Sequence, residues 1–423
     1  GVVSLADSSY SHVTRYGKSD GSAWAVGSNE NGQLGDGSVV DRNQSVQIVA
    51  SGIKSVSSGH RFGFILTESG KLKGAGNRTY GRLGDFFPLA NYWTEVEFAA
   101  GIKDFDLGIY LSSVVDGNGQ VSGIGFNHYG QLGDGTTNTT GKWVTLPDTN
   151  ASQVATSHYH QLYLDVNGSL WGVGYGSSGQ LGMGNNNNQV IPVMIEPSGV
   201  KEISAAYLHN SYIKEDGSLW VMGRNNEGQL GNGSTNNVNS PVQIESSGVV
   251  SVKSHNRATY YLKSNGSMWG MGENYHGNLG IGKSGGDFAS FNSDVDSMVP
   301  VEIVPSGVVA ITAGPYNAMF IKEDGSLWGM GHGNDGKLGV VDDYHVNQPV
   351  LIEDSGVVTA AVGGDASFFV KNDGSLWVSG EHEFAELGFQ KNGFEKVLKG
   401  PILKVDAENR SSMLMVPANL PPQ

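Results

Sequence analysis

The chain has 423 residues, 63 of them Gly and none Cys, and a formal net charge of −15. Charged residues make up only 16%, a composition that excludes a helical bundle or a disordered chain and suits an all-β protein. The acidic balance excludes a phosphate-tracking nucleic-acid binder and disfavours an anionic membrane surface, and no apolar run reaches the roughly 20 residues of a membrane span. Zero Cys removes disulfides, thiolate metal sites and Cys nucleophiles together.

Taken in chain order, one predicted unit recurs. A tight turn opens at Asp20, Ser69, Asn118, Asn167, Asp216, Asn265, Asp324 and Asp373, and every interval is 49 residues except the 59 between Asn265 and Asp324. The copies run at about 1–51, 52–100, 101–149, 150–198, 199–247, 248–306, 307–355 and 356–403, with a half-repeat at 404–417. A fixed period of this size means an array of one supersecondary unit that cannot bury its apolar face alone. In the fifth copy "GVKEISAA" alternates with period two as a strand does, and "NSYIKE" is a second strand. Asp216-Gly217 is a hairpin turn and "SLWVMG" a third strand. The Gly/Asn-rich loop "RNNEGQLGNGSTNNVNS" follows, and "PVQIE" is a fourth strand with Pro241 at its start. Four short antiparallel strands repeated around an axis make a propeller blade. Asn-x-Ser triplets such as Asn167-Gly-Ser lie in these turns, where turn chemistry explains them better than glycosylation. The prediction is a single closed β-propeller of eight four-stranded blades, with seven as the alternative, closed by strands from both termini. Both 1–16 and 404–417 look like the first two strands of a blade, and one of them is expected to complete a mixed blade.

The strand ending in Trp-x-x-Gly, the Asn-x-x-Gly-Gln-Leu-Gly-x-Gly loop and the apolar strand after Pro resemble the regulator-of-chromosome-condensation family of repeats. "GSNENGQLGDGS" at 27–38 and "GFNHYGQLGDGT" at 125–136 carry the pattern closely. The resemblance implies a closed propeller, usually of seven blades, and members that serve as exchange factors, inhibitors or interaction modules. It does not imply one function.

Loops after the first and third strands share one rim, and that rim varies while the other is monotonous, which marks it as the working face. Its short turns carry His60-Arg61, Tyr110, His158-Tyr159, Tyr207, Arg257, Tyr316 and Arg410, and its long loops add Tyr80, His128-Tyr129 and Tyr275-His276. Extra length falls only at 282–297. His160 and His209 occupy the repeat's own His position and read as structural. Copies two and three replace the third-strand Trp by Lys73 and Ser122 and carry Trp93 and Trp143 instead, which serve either as an aromatic binding patch or, as favoured, as volume compensation. Asp104, Asp106, Glu202, Lys253, Lys404 and Asp406 share one parity of the innermost strands. They line a hydrated channel or, less favoured, hold a cation or form a glycosidase pair. His158 and His160 lack an evident third ligand, so no metal is predicted. "GQLGDG" lacks the Lys and helix of a phosphate loop.

Two functions follow. The first is a secreted or extracellular scaffold that binds a glycan or protein ligand through Arg61, Tyr80, Trp93, His128, Tyr129, Trp143, Arg257, Tyr275, His276, Tyr316 and Arg410. The second is a carbohydrate-active enzyme on an acidic polysaccharide, a lyase in preference to a glycoside hydrolase. It would use His60 or His158 as base and Tyr110, Tyr159 or Tyr207 as acid, with Arg neutralising the uronate. No cofactor is expected, a structural cation being left open, and no nucleic-acid partner. The end "PANLPPQ" reads as the start of a linker, so a monomer or a module of a longer chain is expected.

Overall fold

A computed structural model describes residues 2–6, 13–59, 61–84, 89–96, 101–146, 149–285, 295–333, 336–339, 345–363, 366–380 and 393–396. The repeat's hairpin sets each unit. Gly217 takes a positive φ of 77°, and Asp216 Oδ1 accepts from both the backbone N and the Oγ of Ser218 at 2.9 and 2.6 Å. Ser218 Oγ in turn accepts from Trp220 Nε1 at 2.9 Å. The same relay joins Asp20, Ser22 and Trp24, and likewise Asn265, Ser267 and Trp269, or Asp373, Ser375 and Trp377. The Trp ring then lies flat against the ring opposite it on the second strand, as Trp220 does on Tyr212 at 6.3 Å. Lys214 Nζ sits 5.1 Å from the Trp220 centroid and 2.9 Å from Glu196 of the preceding blade. The strongest signal in the sequence is therefore one motif that fixes a turn, a cross-strand pair and a blade-to-blade contact.

Each sheet consists of four consecutive antiparallel strands, for example Val200–Ala205, His209–Lys214, Leu219–Gly223 and Val238–Glu245. We number the blades 1 to 8: Val2–Val49, Ile53–Val96, Ile102–Thr145, Ala151–Glu196, Val200–Glu245, Val249–Val304, Val308–Glu353 and Val357–Lys396. Second and third strands are buried almost throughout because both faces of each sheet meet a neighbouring blade. Blade 8 packs against blade 1: Phe368, Val370, Leu376 and Val378 share a core with Tyr16 and Val26, flanked by Trp24. The ring closes there, between strands from the two ends of the described chain. Eight blades are present rather than seven. No described blade mixes strands from both ends, because Val2–Ala6 and Val13–Lys18 open blade 1 in sequence order; the half-repeat 404–417 lies outside the described residues.

The long loop after the third strand is held by its consensus Asn. Asn225 is fully buried; its Nδ2 donates to Asn232, Ser234 O and Asn236 O, and its Oδ1 accepts from Leu230 N. A clasp closes the loop, with Asn225 N donating to Asn237 Oδ1, 12 residues on. The loop lies on the next blade so closely that a Cβ at Gly231 would fall inside the contact radius of Met271 Sδ. "GQLGDG" is thus a packing element between blades.

Innermost strands have one edge without a sheet partner, and the previous blade supplies acceptors to it. Asp104 Oδ2 accepts from Val154 N at 2.9 Å and Asp106 Oδ2 from Thr156 N at 2.7 Å. Glu202 Oε1 accepts from Val252 N and Ser251 Oγ and lies 3.6 Å from Lys253 Nζ. These acids stitch neighbouring blades together, a role the expectation of a merely hydrated channel did not contain; Lys404 and Asp406 lie outside the described residues.

Candidate functional site: an aromatic arc on the variable rim

The variable rim divides into sectors. Across blades 2 to 5 aromatic side chains touch one another continuously. Tyr80, Tyr110, Tyr159 and Tyr207 form a row with ring centroids 5.7, 5.6 and 6.1 Å apart. Behind the row, Phe126 lies 5.1 Å from Tyr80 and 4.5 Å from His128. Tyr129 lies 5.4 Å from Tyr159 and 4.9 Å from Tyr175, and His158 lies 4.6 Å from Tyr207. Tyr80 and His128 are exposed and the other seven half-buried, so their faces form a continuous open surface. Two features fix its shape. Short turns after the first strands project one ring per blade, and Tyr80 holds a left-handed φ of 66°, unusual for a bulky residue and concentrated at functional surfaces. Arg82 buttresses the blade 2 end from below: its Nη1 donates to Ile109 O and its Nη2 to Asn77 Oδ1. Burial pulls its pKa down to about 10.

Blades 5 and 6 carry an ionic sector. Glu227 Oε1 lies 2.7 Å from Arg224 and 3.7 Å from Arg257, which also reaches Glu273 at 3.3 Å. Burial, opposed by Arg257, raises the Glu273 pKa to about 7, and burial raises Asp296 to about 6. Asp296 Oδ1 accepts from Asn274 N, 22 residues before it, where the equivalent clasp spans 12 in the fifth copy. The extra ten residues of the sixth copy therefore fall inside an otherwise ordinary loop, though 286–294 are outside the described residues. Blades 6 and 7 place His276 4.8 Å from His332, 5.6 Å from His345 and 5.0 Å from Tyr316. Burial, with the neighbouring histidines and Lys337, lowers the His276 pKa to about 3.

Of the sequence candidates, Tyr80, Tyr110, His128, Tyr129, His158, Tyr159 and Tyr207 meet in the arc. Arg61 stands near its blade 2 end with φ 61°, close enough for its charge to act on Arg82. Tyr275 and His276 are buried instead, while Tyr316 is exposed beside them. Arg257 is held by two carboxylates. The structure takes Trp93 and Trp143 off the rim: Trp93 Nε1 donates to Leu34 O of blade 1, and Trp143 packs on the core between blades 2 and 3. His60 and Arg410 lie outside the described residues. His160 and His209 are fully buried, with Nε2 at 2.9 Å from Asn210 Oδ1 and 3.0 Å from Thr259 Oγ1, so His160 points away from His158. Among the described residues no group of three or more His, Cys, Asp or Glu is placed to hold a metal ion, and no helix is long and apolar enough to cross a membrane.

Phe126, Tyr175, Arg224, Glu273 and His332 were missed. All stand eight residues after the hairpin turn, one column of the 49-residue register, and comparing that column across copies would have found them.

The model of the regulator of chromosome condensation (RCC1) repeat matches residues 20–66, 167–213, 216–262 and 324–370. The chain is a propeller of regulator-of-chromosome-condensation-like repeats. Among solved structures it is similar to human WBSCR16, with 21% identity, a TM-score of 0.64, and coverage of 88% of this chain and 99% of that one. It is similar to Prp20p from Saccharomyces cerevisiae, described with its binding to Gsp1p and histones, at 18% identity, TM-score 0.64, and 86% and 92% coverage. A complex of Kap60 with yeast RCC1 (Prp20) matches at 16% identity, TM-score 0.65, and 90% and 92% coverage. A search of curated proteins finds no match.

These findings overturn the secreted glycan-binding scaffold and the polysaccharide lyase or glycoside hydrolase. The binding partners named for the similar propellers are Gsp1p, histones and Kap60, proteins rather than glycans, and none of these three similar structures is described as secreted or as binding carbohydrate. The site agrees physically. The Arg257 that would neutralise a uronate is held by Glu227 and Glu273. Burial and the neighbouring tyrosines push the Tyr159 phenol up, away from proton transfer near neutrality.

Proposed function

We propose that this propeller is a protein-docking platform whose recognition surface is the aromatic arc of blades 2 to 5. The observation that carries the reading is the unbroken contact of Tyr80, Tyr110, Tyr159 and Tyr207 across four blades. Tyr offers a large, stiff contact face with a polar edge, the residue chemistry enriched where proteins bind proteins. The rings brace one another, so little side-chain entropy is lost on binding. Protein binding by the similar Prp20 propeller supports a protein partner.

The test compares the wild type with the double variant Tyr110→Ala/Tyr159→Ala and with Val166→Ser, an exposed change on the opposite rim. Immobilised proteins capture partners from cell extract, and affinity is then measured with each purified partner. Two central tyrosines at a docking site carry about 2 kcal/mol or more, roughly a thirtyfold loss of affinity. Partners that bind both variants alike would refute the assignment.

A further inference from the structure

Resting on that docking reading, we infer that the polypeptide segment held by the arc carries one carboxylate side chain at its blade 2 end, gripped by Arg61 and Tyr80 above Arg82, and an uncharged stretch along Tyr110, Tyr159 and Tyr207. The grip is built on blade 2. Arg61 stands in the turn between the strands Ile53–Gly59 and Phe62–Thr67, and its carbonyl accepts from Asn77 N at 2.8 Å. Asn77 in turn accepts from Arg82, its O from Nε at 3.2 Å and its Oδ1 from Nη2 at 2.8 Å. One residue thus ties both arginines to the end of the third strand, and Tyr80 stands in the same loop. Among the described residues four that are not Gly take a positive φ: Arg61, Tyr80, Asn150 and Asn256. Asn tolerates the left-handed region, whereas Arg and Tyr enter it at a cost. The two costly positions fall together here, as strained residues do at surfaces that present side chains to a ligand.

Charge identifies what is gripped. Arg82 is 3% exposed, and every acceptor it reaches is a neutral oxygen: Asn77 O, Asn77 Oδ1 and Ile109 O. The ionisable groups that act on it are the Tyr80 and Tyr110 phenols and the Arg61 guanidinium. Arg42, Arg224 and Arg257 are each paired with a carboxylate, whereas among the described residues no Asp or Glu pairs with Arg61 or Arg82. A buried guanidinium beside a second one, with no anion, is costly, and a ligand carboxylate relieves both. Arg61 is exposed and offers a forked pair of donors; Tyr80 is exposed beside the arc and offers a phenol O–H. Arg82, already fixed beneath them, adds its field without further ordering. The rest of the arc sets the neighbouring residues of the ligand. Segments 108–110, 126–130, 157–159, 175–179 and 206–208 contain no Asp, Glu, Lys or Arg, so nothing there repays the desolvation of a second charge. A chain of net charge −15 also repels a run of acids from a distance. One carboxylate among uncharged residues meets both conditions, and a polyacidic segment meets neither.

The experiment selects a displayed library of random peptides in parallel on the wild type, on Arg61→Gln and on Tyr110→Ala/Tyr159→Ala. The best wild-type binder is then remade as a labelled peptide for fluorescence anisotropy. Wild-type selection should enrich peptides with one Asp or Glu beside an uncharged stretch. Replacing that acid by its amide should weaken binding about tenfold. The difference should shrink as salt rises from about 0.01 to about 1 M and the screening length falls from about 30 to about 3 Å. Arg61→Gln should cut the acid-over-amide preference to about twofold or less, and Arg61→Lys, which keeps the charge without the fork, should fall between. Val166→Ser should change nothing. An acid preference untouched by Arg61→Gln, or enrichment of neutral, basic or polyacidic peptides, overturns the inference; if those peptides are lost with the two tyrosines, the docking reading stands. Peptides that survive the double Tyr variant, or no selected peptide at all, overturn both. Inorganic phosphate forms the last arm: if it raises the thermal midpoint of the wild type but not of Arg61→Gln, while no carboxylate peptide is selected, the arginines serve a free anion and the inference falls.

Discussion

Two glycines of one loop separate backbone conformation from packing. Gly231 and Gly233 both take positive φ, 65° and 79°. A Cβ at Gly231 would overlap Met271 Sδ and stand 3.3 Å from Pro300 Cδ of the next blade, whereas at Gly233 nothing lies within 4 Å. Gly233→Ala should therefore cost only the left-handed backbone penalty, about 1 kcal/mol. Gly231→Ala adds an overpacking cost of about 1–3 kcal/mol because Met271 is fully buried and has nowhere to retreat, for a total of about 2–4 kcal/mol. Urea unfolding followed by tryptophan fluorescence reads both as midpoint shifts at unchanged slope. Adding Met271→Ala opens space for the new methyl, so the pair should couple favourably by about 1–2 kcal/mol. Equal losses for Gly231→Ala and Gly233→Ala, with no coupling to Met271, would show that the loop does not clamp one blade on the next.

Removing the relay hydroxyl by Ser218→Ala leaves Trp220 Nε1 without its acceptor, while Asp216 Oδ1 keeps the Ser218 backbone N as donor, and should cost about 1 kcal/mol in a thermal melt; no shift would mean that the relay is not a stabilising contact. Asp106→Ala withdraws the acceptor of Thr156 N across the blade junction and should cost about 1.5–3 kcal/mol, with faster amide exchange at Thr156 as its local signature. Acidification should also destabilise the fold. Burial lowers His160 and His255 to about 4 and His209 to about 3, so between about pH 4 and 6.5 the unfolded chain binds protons that the folded one refuses, and each His costs about 2 kcal/mol at pH 5. The partly exposed His276, lowered to about 3, acts in the same direction. Glu273 and Asp296, raised to about 7 and 6, work oppositely and offset about 3 kcal/mol once the exposure of Asp296 is allowed for. A net loss of about 3 kcal/mol from pH 7 to 5 should appear as a lower urea midpoint; an unchanged or higher midpoint contradicts it.

The blade count was legible because a hairpin turn must be built from residues that tolerate positive φ, which leaves Asp/Asn/Ser-Gly at each repeat. The structural standing of His160 and His209 was legible from the resemblance, which implies a hydrogen-bonded His at that position, although the same column holds Phe62, Leu111, Ala258, Asn317 and Ala366 in other copies. Partner identity across blades was not. Asp106 finds Thr156 N only because rotation about the ring axis brings an unpaired strand edge beside it, and a linear sequence does not show that edge. For Trp93 and Trp143 the sequence leaves an aromatic patch open beside the favoured volume compensation, because nothing in one copy announces the blade 1 loop that meets Trp93 or the core between blades 2 and 3 that takes Trp143. Phe126 and Tyr175 escaped for the opposite reason: each looks like an ordinary strand end until the same column is seen to hold Arg224, Glu273 and His332 in later copies.

The clasp that closes the long loops of blades 1, 3, 4, 5 and 6 makes the rim an insertion port. Asn225 N grips Asn237, 12 residues away, while Asn274 N grips Asp296 across 22, and Asn274 Nδ2 still reaches the carbonyl nine residues on, Lys283 O, as Asn225 Nδ2 reaches Ser234 O. The frame is indifferent to what is threaded between the ninth residue and the clasp. New recognition segments can therefore be spliced into a clasped blade there without altering the ring, which allows a scaffold of near-identical units to diversify its binding partners one loop at a time.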